Sequence, residues 1–143
     1  MKRRGERGIT LIEVAVVMAI VGIMALFMAP AIGEWLDNYR IRQSARDISS
    51  TLQQAKMKAI STRTQHTVNF DTDNNRYTLQ PGGNATALPR GVTMESGSAA
   101  TITFRPDGTS TSPGEETITI NNAKGKEYHV TVNTVGRISI QEE

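Results

Sequence analysis

Apolar and polar positions divide the chain into three stretches with three different patterns. From Val14 to Ile32 no side chain is charged or strongly polar, and such a run approaches the ~20 helical residues needed to cross a bilayer core of about 30 Å. A membrane-spanning helix is predicted there. Beyond it the apolar residues thin to a stripe, Ile41, Ala45, Ile48, Leu52, Ala55 and Ala59, spaced alternately by four and three, which is one face of an amphipathic helix. Arg42, Arg46, Asp47, Gln53, Gln54, Lys56 and Lys58 fall mostly on the other faces. A single helix from Ile9 to about Ser61 would be ~80 Å long at 1.5 Å per residue, so its outer half would project beyond a membrane and its stripe would need a cover.

From about Thr62 the period becomes two. His66-Thr67-Val68-Asn69-Phe70 and Arg76-Tyr77-Thr78-Leu79 read as a hairpin with Val68, Phe70, Tyr77 and Leu79 on one face, joined by the turn residues Asp71 to Asn75. Further short strands are predicted at 91–94, 101–104, 117–120, 128–132 and 137–140, bounded by Asp107-Gly108, Pro113-Gly114, Lys124-Gly125 and Val135-Gly136. Ser96 to Ala100 and Thr109 to Glu116 read as polar loops. The expected fold is α+β: a long amino-terminal helix followed by a small antiparallel β-sandwich or bent sheet, with the helix stripe packed on it. The corresponding segments are a leader at 1–8, a transmembrane half-helix at 9–32, an amphipathic half-helix at 33–62 and a β domain at 63–143.

One acid breaks the logic of the apolar stretch. Lys2, Arg3, Arg4 and Arg7 precede the run, and basic residues beside a span stay on the cytoplasmic side, which places the carboxyl-terminal part outside. Glu13 stands at the start of the span, where an isolated charge costs about 3 kcal/mol and signals a partner. No cation follows it within the run. The basic head is one candidate; cleavage after Gly8 would create another, a free amine on Ile9 about one helical turn from Glu13. An ordinary secretory signal cut near Ala31 accounts for the basic head and the small residues at Ala29-Pro30-Ala31, but a glutamate does not suit its apolar core.

The segment Gly8-Ile9-Thr10-Leu11-Ile12-Glu13 resembles the prepilin processing motif of type IV pilins and type II secretion pseudopilins, with Ile9 in the place of the family's usual phenylalanine. The resemblance implies cleavage by a membrane-embedded prepilin peptidase between Gly8 and Ile9, N-methylation of Ile9 by the same enzyme, and assembly with other pilins or pseudopilins in a filament. Glu13 would then pair with the terminal amine of a neighbour. Gly22 and Pro30 disfavour a straight helix, and they stand where pilins carry a glycine and a proline that bracket a segment able to unwind on packing. The long helix, the segment Leu52 to Ser61 leading into a hairpin, and a Gly-Arg near the end are similar to the GspH/FimT type of minor pseudopilin. That similarity implies a structural subunit held in the inner membrane with its carboxyl-terminal domain in the periplasm, belonging to either a secretion pseudopilus or a type IV pilus.

Charge and composition refine this picture. The chain carries 16 basic and 14 acidic side chains, and removing the four bases and one acid of residues 1–8 leaves 12 and 13, a net of −1. The basic balance therefore belongs to the leader and is no signature of nucleic-acid binding. There is no cysteine, so no disulfide supports the domain, unlike many major pilins. His66 and His129 stand on predicted strands without metal-ligand spacing; the turn Asp71 to Asn75 lacks the glycine and terminal glutamate of a calcium loop. No phosphate-cradling loop or nucleophile elbow occurs. No metal, cofactor or enzymatic activity is predicted. The alternative is DNA uptake: some FimT-type pilins bind DNA through a carboxyl-terminal Gly-Arg-x-Arg motif, which here reads Gly136-Arg137-Ile138-Ser139. One arginine is replaced, and the remaining candidates are Lys124, Lys126 and Arg137.

Overall fold

The structure is a computed structural model that describes residues 9–143, with the side chains of residues 26–32 also outside the described set. A 52-residue helix, α1 (Leu11–Thr62), is followed by eight strands: β1 (His66–Asp71), β2 (Arg76–Gln80), β3 (Ala85–Ala87), β4 (Val92–Met94), β5 (Thr101–Phe104), β6 (Glu116–Asn122), β7 (Glu127–Val132) and β8 (Ile138–Glu142). Contacts divide the chain into two units, residues 1–36 and 37–143. The outer half of α1 therefore belongs with the strands.

In the second unit the predicted stripe is the helix's buried face. Ile41, Ala45, Ile48, Leu52, Ala55 and Ala59 are all fully buried. They share one core with Val68, Phe70, Tyr77, Leu79, Ile102 and Phe104 of one sheet and Val92, Met94, Ile118, Ile120, Tyr128, Val130 and Val132 of another. Each fully buried Val, Leu, Ile or Phe contributes about 1.5–3 kcal/mol relative to exposure, so the domain is held by this core in the absence of disulfides. The helix stops where Thr62 and Ser61 turn their hydroxyls back to donate to the Lys58 carbonyl. Arg63 then adopts a left-handed conformation, φ 54°, the position a helix C-cap requires.

The strands form two antiparallel four-stranded sheets with orders β3-β2-β1-β5 and β4-β6-β7-β8. The β1–β2 hairpin has the predicted register, Val68 opposite Leu79 and Phe70 opposite Tyr77, with the inward residues buried. Asp71 accepts from the Asn74 amide groups and from Arg76 Nε at 2.8 Å, so its carboxylate is engaged within its own turn. The sequence pattern predicted seven strands; β3 adds an eighth. Ala85-Thr86-Ala87 is exposed throughout, and without a buried face it has no alternation to detect. The two polar loops are both tied to strands. Glu95 and Ala99 donate backbone bonds to Thr119 and Thr117 of β6, and Ser110 bridges to Phe104.

Candidate functional site

The amino-terminal end of α1 is built by a side chain that sequence reading passed over. The Glu13 backbone N–H donates to Thr10 Oγ1 at 3.3 Å, which makes Thr10 the N-cap of a helix beginning at Leu11. Thr10-Leu11-Ile12-Glu13 has the spacing of a capping box. Its signature, a threonine three residues before a glutamate, was present in the sequence beside the processing motif. Glu13 thus stands in the first turn, where the helix dipole favours negative charge. Ile9, Glu13, Val14, Val17 and Met18 line one groove of about 270 Å³, so the residue that cleavage would make terminal shares a groove with the glutamate. Every large apolar side chain from Ile9 to Met24 is exposed, Leu11 at 88% and Ile12 at 69%.

The remaining predicted assembly residues are only partly described. Gly8 lies outside the described residues, and so does the leader from 1 to 8. Gly22 lies in α1 with open space where a Cβ would stand, so no close contact requires its lack of a side chain. Pro30 falls within the span of α1, but its side chain is outside the described set. Among the described residues no helix is long and apolar enough to cross a membrane. The predicted run from Val14 to Ile32 includes residues 26–32, and what remains is shorter than the ~20 residues a bilayer core requires.

The candidate DNA contacts do not converge. β6, β7 and β8 form a meander, so its two turns lie at opposite ends of β7. Lys124 and Lys126 belong to the first turn, where Asn122 Oδ1 accepts both of their backbone N–H groups at 3.0 Å. Arg137 belongs to the second, its N–H held by Asn133 Oδ1 at 2.8 Å. The length of β7, at about 3.4 Å per residue, separates them. The Lys126 ammonium is paired with Glu142. The topology therefore sets Lys124 and Lys126 at the opposite end of β7 from Arg137.

Gly136 has a structural reason that the Gly-Arg motif did not reveal. Its φ is 73°, and a Cβ there would lie well under 3.0 Å from the Gly108 carbonyl oxygen. Gly108 is itself left-handed, φ 83°, and abuts Ile60 and Lys56 of α1. Lys56 Nζ completes the contact by donating to the Gly136 carbonyl at 2.9 Å. The β5–β6 loop and the β7–β8 turn thus meet backbone to backbone, and the helix reaches them through the side chains of Lys56 and Ile60.

A second set of ties joins α1 to the last strand. Tyr128 Oη donates to Glu142 at 2.6 Å, Arg42 Nε donates to Tyr128 Oη at 3.3 Å, and Lys126 pairs with the same carboxylate. Lys126 first, and then the Tyr128 hydroxyl, hold the Glu142 carboxyl below the usual carboxylate range. Arg42, Arg46, Tyr128, Ile140 and Glu142 border a groove of about 350 Å³.

Comparison with known proteins agrees with this architecture. A family model described as type II transport protein GspH matches residues 44–136, and one for the prokaryotic N-terminal methylation motif matches residues 3–29. The chain is 28% identical over 105 residues to the type II secretion system protein H of Xanthomonas campestris pv. campestris, covering 73% of this chain and 62% of that protein. It therefore spans less than two thirds of that relative's length. Among solved structures, the minor pseudopilin EpsH from the Vibrio cholerae type 2 secretion system aligns with a TM-score of 0.59 at 19% identity, over 72% of this chain and 97% of that one. The type IV minor pilin FimU of Pseudomonas aeruginosa aligns with a TM-score of 0.58 at 19% identity, over 75% and 92%. At these identities the likeness is one of fold. With most of the stripe-bearing helix, strands β1 to β7 and the Gly108–Gly136 contact inside the matched segment, the chain belongs to the GspH family of type II transport proteins.

Proposed function

We propose that this chain is a structural minor subunit of a type II secretion pseudopilus or a type IV pilus. It is inserted with residues 1–8 in the cytoplasm, cut between Gly8 and Ile9 by prepilin peptidase, methylated on Ile9 and packed into a filament through residues 9–32 of its helix. Before assembly that segment is held in the inner membrane and the domain beyond it faces the periplasm. The role is architectural rather than catalytic.

The observation that carries this reading is the first unit of the structure: an unbroken exposed apolar helix face from Ile9 to Met24, headed by the Thr10–Glu13 cap. Soluble monomers rarely leave apolar patches larger than a few hundred Å² uncovered. Lipid before assembly and neighbouring helices afterwards would cover this one. Glu13, expensive in lipid as an isolated charge, would pair with the Ile9 amine of an adjacent subunit, setting axial register. Gly22 and Pro30 would let the helix loosen locally as it packs. Intact-mass measurement of the membrane-extracted chain tests the processing step. The native chain is expected to lack residues 1–8 and carry one added methyl group, whereas a Gly8→Asp variant retains the leader; normal trimming of that variant would rule out the proposed cleavage site.

A further inference from the structure

On the outer face of the second sheet, three potential metal ligands come together, two from β7 and one from the residue that follows β8. One ligand atom each from Glu127, His129 and Glu143 lie within 4.8 Å of one another. Strand pairing produces this cluster. The β7–β8 register sets Tyr128 opposite Glu142, and the next pair continues with the Glu143 N–H donating to the Glu127 carbonyl at 3.2 Å. Glu127 and Glu143 therefore face each other directly, with His129 on the diagonal of the same face.

Two features of this site point to a bound cation. Like charges placed directly opposite across antiparallel strands are destabilising, and Lys126, beside Glu127 in sequence, pairs with Glu142. The second feature is the orientation of the ring. His129 Nδ1 lies 3.0 Å from Thr119 Oγ1, on a residue only 8% exposed whose own N–H is held by Ser98. A hydrogen bond from the second ring nitrogen to a fixed oxygen is the usual means of aiming a ligating histidine. Nε2, the other ring nitrogen, then faces Glu143 Oε2 at 2.9 Å, so an imidazole nitrogen and a carboxylate oxygen converge on one point.

We propose that Glu127, His129 and Glu143 form a site for a divalent transition-metal ion of the zinc type. One imidazole with two carboxylates suits zinc and its neighbours in the first transition series, whereas magnesium and calcium take all-oxygen sets. Water would complete the coordination. The ion would fasten the end of edge strand β8 to β7 in a domain that has no disulfide to do so.

The test uses the full chain in detergent micelles, with carbon-13 in the histidine rings and zinc chloride as the probe. The chain has only two histidines, so each ring can be followed separately. The ring signals of His129 are expected to shift and saturate at one zinc per chain while those of His66 stay in place, and magnesium is expected to move neither. Glu127→Gln and Glu143→Gln should each weaken zinc binding about tenfold or more. Glu127→Gln should also raise the thermal midpoint of the zinc-free chain, by removing the opposed charge. If His129 stays unmoved at millimolar zinc, if both rings move alike, or if neither glutamine variant weakens binding, the site is overturned and a proton alone bridges His129 and Glu143.

Discussion

At the scale of single residues, the most consequential features are ones whose partners lie far away in sequence. Gly136 reads in the sequence as a turn glycine before the last strand, and its positive φ agrees. Its approach to Gly108 was not legible, because nothing local to either glycine indicates the other. Gly136→Ala must accommodate both a strained φ, at about 1–3 kcal/mol, and a clash with backbone. Denaturant unfolding in detergent should record a loss at or above that range, while Gly114→Ala, with open space around it, should stay within about 0.5 kcal/mol of the native chain. Equal effects would refute the close approach. Charge at this scale has a definite sign. Hydrogen bonds from Asn74 and Arg76 lower the Asp71 carboxyl, those from Thr109 lower Asp107, and those from Lys126 and Tyr128 lower Glu142. A carboxyl lowered on folding contributes stability above its unfolded pKa and loses that contribution as pH falls through the lowered folded value. The thermal midpoint is thus expected to be flat near neutrality and to drop below about pH 4, with a shallower acid drop in Glu142→Gln. An unchanged drop in that variant would remove Glu142 from the account.

At the scale of elements, periodicity carried most of the information. The six-residue stripe on α1 was predicted from spacing alone and is fully buried, because a helix packed along one face leaves its 3.6-residue period in the sequence. Leu52→Ala should destabilise the second unit by about 2–5 kcal/mol. Met57, on the same helix and 69% exposed, should tolerate alanine within about 0.5 kcal/mol; comparable losses at the two positions would contradict the burial pattern. Strands with a buried face were equally readable. β3 was not, and neither was the extension of β8 to Gln141 and Glu142, which is polar and exposed. That extension carries Glu142 to Tyr128 and Glu143 to His129, so the ties at the end of the chain depend on pairing that no alternation announces. The Thr10 cap is the opposite case, with its signature fully local and obscured only by the more prominent motif overlapping it.

At the scale of the whole molecule, the two units have opposite surface chemistry. Residues 37–143 bury a complete core of their own, whereas the described residues of the first unit expose nearly every apolar side chain they carry. Such a division suits a chain whose first part is completed by lipid or by other subunits. The sequence made this legible, since an unbroken apolar run next to a stripe and then an alternation implies three environments. It could not indicate that the basic candidates for DNA contact would be split between opposite ends of β7, because that depends on the meander's topology. The central claim is that Glu13 serves assembly rather than processing or folding. Its most direct test is to express Glu13→Ala beside the native chain and measure, by mass spectrometry and immunoblot, the trimmed protein in membranes and in sheared filaments. The variant is expected to be trimmed and methylated normally, to accumulate in the membrane and to be missing from the filament fraction. Its presence in filaments at the native level would contradict the claim.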